Sequence, residues 1–502
     1  MNRRSDEIGA GLAPARTAQP IPGSQRIHVL GAAGAGASAA ALLAQRAGAV
    51  VSGCDVGGPS PYSTALEAAG IPLAWQHSAA HVERSDGQRP QRLAVTKALT
   101  ALHPDHPELL AARGLELPVE AWQQLVADVA ATTGQQLVAV AGTHGKSTTT
   151  GWLVHMLVGA GRDPSAFVGA LLSAELSNGV PATARWGSGD SFVVEADEYA
   201  GNFDPYRPAV TLLLNVEWDH PDVFPDEEAV VEAFSWWLRA GTQAGQHTQL
   251  VANTGNAGVR RVLRGLGRWP GRVLTVALGE EGHAAELRAR AEPTPAGGNR
   301  LAVMESGRPE RVYELGLAGR HNAENALALV GAAPLLGIED DALKTSLAGF
   351  AGVGRRLELK GEPRGVTVLD DYGHHPTAIA RTLEAVRQSY ADRRLWAVYE
   401  PLTYHRTAHM LERFAEVLAR ADMVAIADIW AGRDQDTTVT SSAALAQAVT
   451  RRKGAPAQAT GSVEATADYL AQRVRPGDVV LVMGGGRSYV IAERLVDLLG
   501  SG

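Results

Sequence analysis

Residues 137–150, LVAVAGTHGKSTTT, decide the fold of this chain. The apolar run from Leu137 to Ala141 reads as a strand that delivers Gly142 into a loop, and Gly145-Lys146-Ser147 opens a Thr-rich helix. Glycines let the backbone turn its N–H groups toward a ligand, and the helix N-terminus adds the positive end of its dipole. Lys146 has the reach for terminal phosphates, and the Ser147 hydroxyl suits a phosphate-bound Mg²⁺. Val140 stands where the longer P-loop pattern has its first glycine, so this is the shorter GxxGK[ST] form. Gly142, Thr143, His144, Gly145, Lys146, Ser147 and Thr148 are therefore expected to bind a nucleoside triphosphate.

The rest of the chain narrows the setting. At 502 residues it is too long for one core, and about three domains are expected. A net charge of −8 argues against an electrostatic grip on nucleic acid or an anionic membrane, so phosphate binding must come from local geometry. No apolar run approaches the length of a membrane span. Cys54 is the single cysteine, which excludes an internal disulfide and a Cys-based zinc site, fits a reducing cytoplasm, and is expected to be buried and inert. Residues 1–24 carry acids and prolines without a signal peptide's apolar core and are expected to be a disordered tail.

Strand-like runs alternate with Ala/Leu-rich helical stretches from end to end, the signature of α/β layering on mainly parallel sheets. In the first block, 25–128, Arg26–Leu30 turns through GAAGAGAS into a helix, and a second strand ends beside Asp55. That reads as a nucleotide-binding βαβ unit, with Gly31, Gly34 and Gly36 in the loop and Asp55 at the spacing of a ribose contact. Ala33 occupies the middle position of the expected GxGxxG, so a dinucleotide is disfavoured. The linker to the second block, 129–350, is placed near 128–135, and the Pro/Gly-rich stretch 280–300 is expected to be an exposed turn. The third block spans 351–502.

Further clusters carry chemistry. Glu195-Ala196-Asp197-Glu198 ends an apolar strand, where α/β sheets bind ligands, and Glu195 would face a metal or the γ-phosphate. A second strand ends in Asn215, Asp219, His220 and Asp222, and a His beside two Asp can bind a divalent metal or shuttle a proton. Asn322 and Asn325 share one face of a helix. Arg355 and Arg356 precede Asp370-Asp371-Tyr372-Gly373-His374-His375, and arginine forks suit phosphates and carboxylates.

The order of these motifs resembles the Mur ligases, ATP-dependent amide-forming enzymes of peptidoglycan precursor synthesis. GTHGKSTTT, EADEY, NVEWDHPDVF, GRHNAENALA, GVGRRLE and DDYGHHPT occur in that family's sequence and spacing over roughly residues 26 to 490. The resemblance implies a Rossmann-like UDP-sugar domain, a central P-loop ATPase domain with a mainly parallel sheet, and a Rossmann-like amino-acid domain. DDYGHHPT and GRHN look most like the branch that joins L-alanine to UDP-N-acetylmuramate through an acyl phosphate. The branch that reattaches a recycled tripeptide shares much of the pattern.

By the same resemblance, Ser147, Glu195 and His220 would hold Mg²⁺, with Mn²⁺ able to substitute at an imidazole. Asn322 and Asn325 would contact the adenine side of ATP, and one of Arg355 and Arg356, with Asp371, would reach the phosphates. Tyr372, His374 and Arg406 would serve the amino acid, Arg406 through its carboxylate. Lys146, Glu195, His220, Arg356 and Asp371 form the implied catalytic set, in a monomer or homodimer. Several Mur ligases use a carbamylated lysine in the central domain; residues 147–343 contain no lysine, which fits the alanine-adding branch.

The pattern also breaks. Ala33 replaces a family glycine, Val95-Thr96-Lys97-Ala98-Leu99 replaces a Ser-Ser-Ala-Ile strand end, and Leu402 replaces a histidine. The segment after Asp428-Ile429-Trp430-Ala431 departs as well. Two readings follow: an active ligase with its own substrate pocket, or a ligase-derived nucleotide-binding protein that has lost amide formation. A dinucleotide-dependent dehydrogenase would leave the P-loop unexplained.

Overall fold

The computed structural model describes residues 8–84, 87–243, 248–279, 284–295, 297–432, 434 and 436–500. Three sheets organise the chain, as an α/β protein of three domains requires. The first has five parallel strands in the order Leu73–Ala74, Val50–Cys54, Arg26–Leu30, Arg92–Val95, Val119–Ala121. The second has ten strands, with Gln136–Ala141 inside a parallel run flanked by Ser191–Ala196 and Val210–Leu213. The third has six, with Thr367–Asp371, Val479–Gly484, Leu395–Glu400 and Met423–Ala427 as its parallel centre.

The chain divides into two compact units. The first contains the first sheet and most of the second; residues 292–300, 315–323 and 351–502 form the other. Within the first unit one apolar core runs through both sheets' layers, joining Ala37, Ala41 and Val126 to Phe167 and Phe192. Trp122 and Phe167 meet edge to face at 5.2 Å, and the Ser38 and Thr183 hydroxyls are 3.1 Å apart. The first two domains therefore pack as one body.

Four expectations are corrected. Residues 8–24 are not a disordered tail: Arg16 pairs with Glu120 at 2.9 Å and Asp128 at 2.8 Å, and Ile21 enters the core. Residues 1–7 lie outside the described residues. The linker near 128–135 is instead the end of helix Trp122–Thr133, stopped by Gly134 in the left-handed conformation, so the boundary at 128 falls inside a helix. Leu287–Pro293 is a strand of the ten-stranded sheet and not an exposed turn, because Leu287 and Ala289 alternate into the core. The block 129–350 is not one continuous piece either, because 292–300 and 315–323 group with 351–502 in the second unit.

Candidate active site

Strand register assembles the phosphate end of the site. Val140 pairs with Glu195 on one side of the P-loop strand, and Ala141 with Leu213 on the other. The EADE and NVEWDH segments thus leave the sheet on either side of the glycine loop, at the strands' carboxyl ends where α/β proteins bind ligands.

The loop is fixed by Asn215. Its Oδ1 accepts from the His144 N–H at 2.7 Å, and its Nδ2 donates to the His144 carbonyl at 2.9 Å. Gly142 has φ 146°, and a Cβ there would stand 3.0 Å from the Asn215 backbone. Gly145, at φ 82°, would carry its Cβ 2.8 Å from Asn325 Oδ1. Asn325, on helix Arg320–Ala332, therefore abuts the phosphate loop. Asn322 donates to the Ala318 carbonyl at 2.7 Å and groups with the second unit.

Lys146 opens helix Lys146–Gly159 and donates to the Gly142 carbonyl at 2.7 Å and to Glu198 Oε2 at 2.9 Å, with Asp197 Oδ1 at 3.4 Å. Burial opposes its charge, but Glu198 and Asp197 outweigh burial and raise its pKa. Burial pushes the Glu198 carboxyl up to about 7 although Lys146 pulls it down. Asp197 is held below its ordinary value, against burial, by Lys146 and His220.

The expected metal ligands fall into two groups. Ser147 Oγ donates to Glu195 Oε1 at 3.0 Å, and the Gly169 N–H to Glu195 Oε2 at 2.6 Å. His220, in the left-handed region at φ 55°, instead gathers with Asp197 and Glu198, their ligand atoms lying within 4.8 Å of one another. Buried oxygens at Ser147 and Glu195 suit Mg²⁺, and two carboxylates with an imidazole suit Mn²⁺ better. Sequence reasoning singled out Glu195 from its quartet and passed over Asp197 and Glu198; only their position beside Lys146 distinguishes them.

At the first glycine loop, the Gly31 and Ala32 N–H groups donate to the Cys54 carbonyl at 2.9 and 3.0 Å. Asp55 Oδ2 accepts from the Ala33 N–H at 3.1 Å, so this acid holds the loop. Gly34 precedes helix Ala35–Arg46 as its N-cap. Gly36 has another cause: a Cβ there would overlap the Trp122 ring. In the altered 95–99 segment, Lys97 Nζ donates to the Ala200 and Gly201 carbonyls at 2.8 and 2.9 Å, tying it to the loop after EADE.

In the second unit the two arginines part. Arg355, expected at the nucleotide, is buried: it donates to Asp370 at 3.2 Å, to the Gly484 carbonyl at 2.9 Å and to Ser488 Oγ at 2.8 Å. It holds this unit's interior together. Arg356 is half-buried, over the Tyr372 ring at 5.1 Å. Asp371 accepts from the Gly373 N–H at 2.7 Å and the Leu357 N–H at 3.0 Å, while burial raises its pKa. Tyr372 and His374 meet edge to face at 5.4 Å, and His375 caps helix Pro376–Ser389. Arg406 is buried on helix Tyr404–His409, and Leu402 bridges to Trp430.

Three family models match in chain order: the Mur ligase family catalytic domain over 26–133, the Mur ligase middle domain over 140–333, and the Mur ligase glutamate ligase domain over 355–486. A UDP-N-acetylmuramate–L-alanine ligase of Frankia casuarinae is 36% identical, covering 95% of this chain and 98% of that one. Among solved structures, UDP-N-acetylmuramate-alanine ligase from Thermotoga maritima superposes with a TM-score of 0.78 at 22% identity, over 95% of this chain and 99% of that one. A murein peptide ligase from Psychrobacter arcticus gives 0.70 at 25% identity, with the same coverage. The chain belongs to the Mur ligase family, whose members are ATP-dependent ligases.

Proposed function

We propose that this protein joins L-alanine to UDP-N-acetylmuramate in an ATP-consuming step of peptidoglycan precursor synthesis in the cytoplasm. The observation that carries this reading is an intact phosphate loop, with Lys146 poised on Glu198, in a chain colinear with an L-alanine ligase over 95% of its length.

The loop N–H groups and Lys146 would bind the phosphates of ATP, with Asn325 beside them. The γ-phosphoryl group passes to the lactyl carboxylate of UDP-N-acetylmuramate, giving an acyl phosphate and ADP. The alanine amine then attacks the acyl carbon, the C–N bond forms, phosphate leaves and the amine loses a proton. The protein's main task is to offset charge as phosphate moves between two anions, which Lys146 does by position. Mg²⁺, when bound, would add to that neutralisation, held by Ser147 and Glu195, with Asp197, Glu198 and His220 as a second set of ligands. Arg356 and Asp371 are assigned to the reaction by their motifs, Gly31, Gly34 and Asp55 to the UDP-sugar, and Tyr372, His374 and Arg406 to the amino acid.

The likeness to a murein peptide ligase supports a second reading, in which a peptide replaces L-alanine. Phosphate release with UDP-N-acetylmuramate and either L-alanine or tripeptide tests both. Turnover with L-alanine sustains the first; turnover with tripeptide alone replaces it with the second.

A further inference from the structure

We propose that the N-terminal domain holds one divalent transition-metal ion, of the zinc class, on His28, Cys54, His81 and Glu108. These residues come from separate elements. His28 lies on strand Arg26–Leu30, Cys54 ends the neighbouring strand Val50–Cys54, His81 ends the turn Ala79–His81, and Glu108 opens helix Pro107–Gly114. Their candidate ligand atoms all lie within 4.8 Å of one another. Cys54 Sγ is 3.2 Å from Glu108 Oε2, His28 Nε2 is 3.8 Å from the same oxygen, and His81 Nδ1 is 2.6 Å from Glu108 Oε1. Tetrahedral zinc with bonds of about 2.0–2.3 Å spaces its ligand atoms roughly 3.3–3.7 Å apart, so small shifts convert this cluster into a coordination shell.

Burial argues that the cluster is built for an ion. His28, Cys54 and Glu108 are 3%, 0% and 0% exposed. The His28 Nε2 atom, aimed at the carboxylate, has no hydrogen-bond partner among the described residues, and a buried polar atom left so is costly. Its Nδ1 lies 2.8 Å from Ser52 Oγ, the kind of outer contact that orients a metal-bound imidazole. His77 and His106 close the other side: His77 Nδ1 is 3.2 Å from Cys54 Sγ, and both ring nitrogens of His106 are buried without a hydrogen-bond partner among the described residues. One thiolate, two imidazoles and one carboxylate favour Zn²⁺ or Co²⁺ over Mg²⁺. Since the Cys54 carbonyl holds the Gly31 and Ala32 N–H groups, the ion would stiffen the first glycine loop from beneath. This cluster corrects the expectation that a single cysteine excludes any Cys-based zinc site: the exclusion covers multi-cysteine sites and does not reach a mixed shell with one thiolate.

The test is Co²⁺ titration of the full-length chain after chelation, with excess Mg²⁺ and ADP present to occupy the phosphate loop. Cys54 is the only thiol in the chain, so a thiolate-to-cobalt charge-transfer band reports on this cluster alone. The expected band saturates at one Co²⁺ per chain, is displaced by Zn²⁺, and disappears in Cys54→Ser. His81→Ala, at a partly exposed position, should fold and weaken Co²⁺ binding at least tenfold. No band in the wild-type chain, or a band unaffected by His81→Ala, overturns the site.

Discussion

The Lys146 ammonium lies 2.9 Å from Glu198 Oε2 and 3.4 Å from Asp197 Oδ1, so the phosphate-loop lysine is pre-aimed by two acids of the neighbouring strand end. Pre-aiming removes part of the reorganisation that a flexible lysine would need when charge moves. Lys146→Met should lower kcat by at least about 10³-fold, whereas Glu198→Gln, which keeps an acceptor and loses the charge, should lower it roughly tenfold. Steady-state kinetics with all three substrates checks both; an inert Lys146→Met substitution would contradict the assignment.

Asn215 makes two hydrogen bonds to His144, and its removal takes both from partly buried backbone groups of the loop. At about 0.7–1.4 kcal/mol each, Asn215→Ala should weaken ATP binding roughly 10- to 100-fold. Circular dichroism should show the fold retained, and calorimetry with a non-hydrolysable ATP analogue measures the loss.

A Cβ on Gly36 would overlap the Trp122 ring. Gly36→Ala should destabilise the first unit by about 1–3 kcal/mol, the usual cost of overpacking, and lower its Tm. Adding Trp122→Leu makes room for the methyl, so the double variant should regain part of the loss relative to Trp122→Leu alone. If Gly36→Ala leaves Tm unchanged but weakens UDP-sugar binding, the glycine serves the ligand after all.

Asp370 gives the second unit a pH dependence. Burial holds its carboxyl up to about 6 although Arg355 pulls the other way. The folded state therefore keeps a proton that the unfolded chain has released. Stability contributed by this group is full below about pH 4 and is lost as pH rises through 6, at up to about 1.4 kcal/mol per unit. Asp370→Asn should flatten that slope in denaturant melts between pH 4 and 7, and an unchanged slope would rule the group out.

The fold was readable because strand, glycine loop and helix are written consecutively in 137–150, and the P-loop strand determines what can pair beside it. The acids at 195–198 were also visible, but their division of labour was not. Alternation on a strand end does not say which carboxylate turns toward Lys146 and which toward Ser147. Arg355 and Arg356 are adjacent, and only the packing of Tyr489 and Ser488 shows which is the interior one. Helix Trp122–Thr133 ran through a Thr/Gln-rich stretch that propensity alone reads as a linker, because its buried face packs on the core. The His28–Glu108 cluster draws on residues spread across four elements, a spacing that carries no local signal.

The central claim is that this chain couples ATP cleavage to amide formation between UDP-N-acetylmuramate and L-alanine. The direct measurement is phosphate release from ATP and Mg²⁺ with the UDP-sugar and L-alanine supplied separately and together, alongside mass analysis of the product. The account predicts phosphate release only when both are present, in step with one UDP-N-acetylmuramoyl-L-alanine formed per ADP. ATP bound without any release that depends on both acceptors would contradict it.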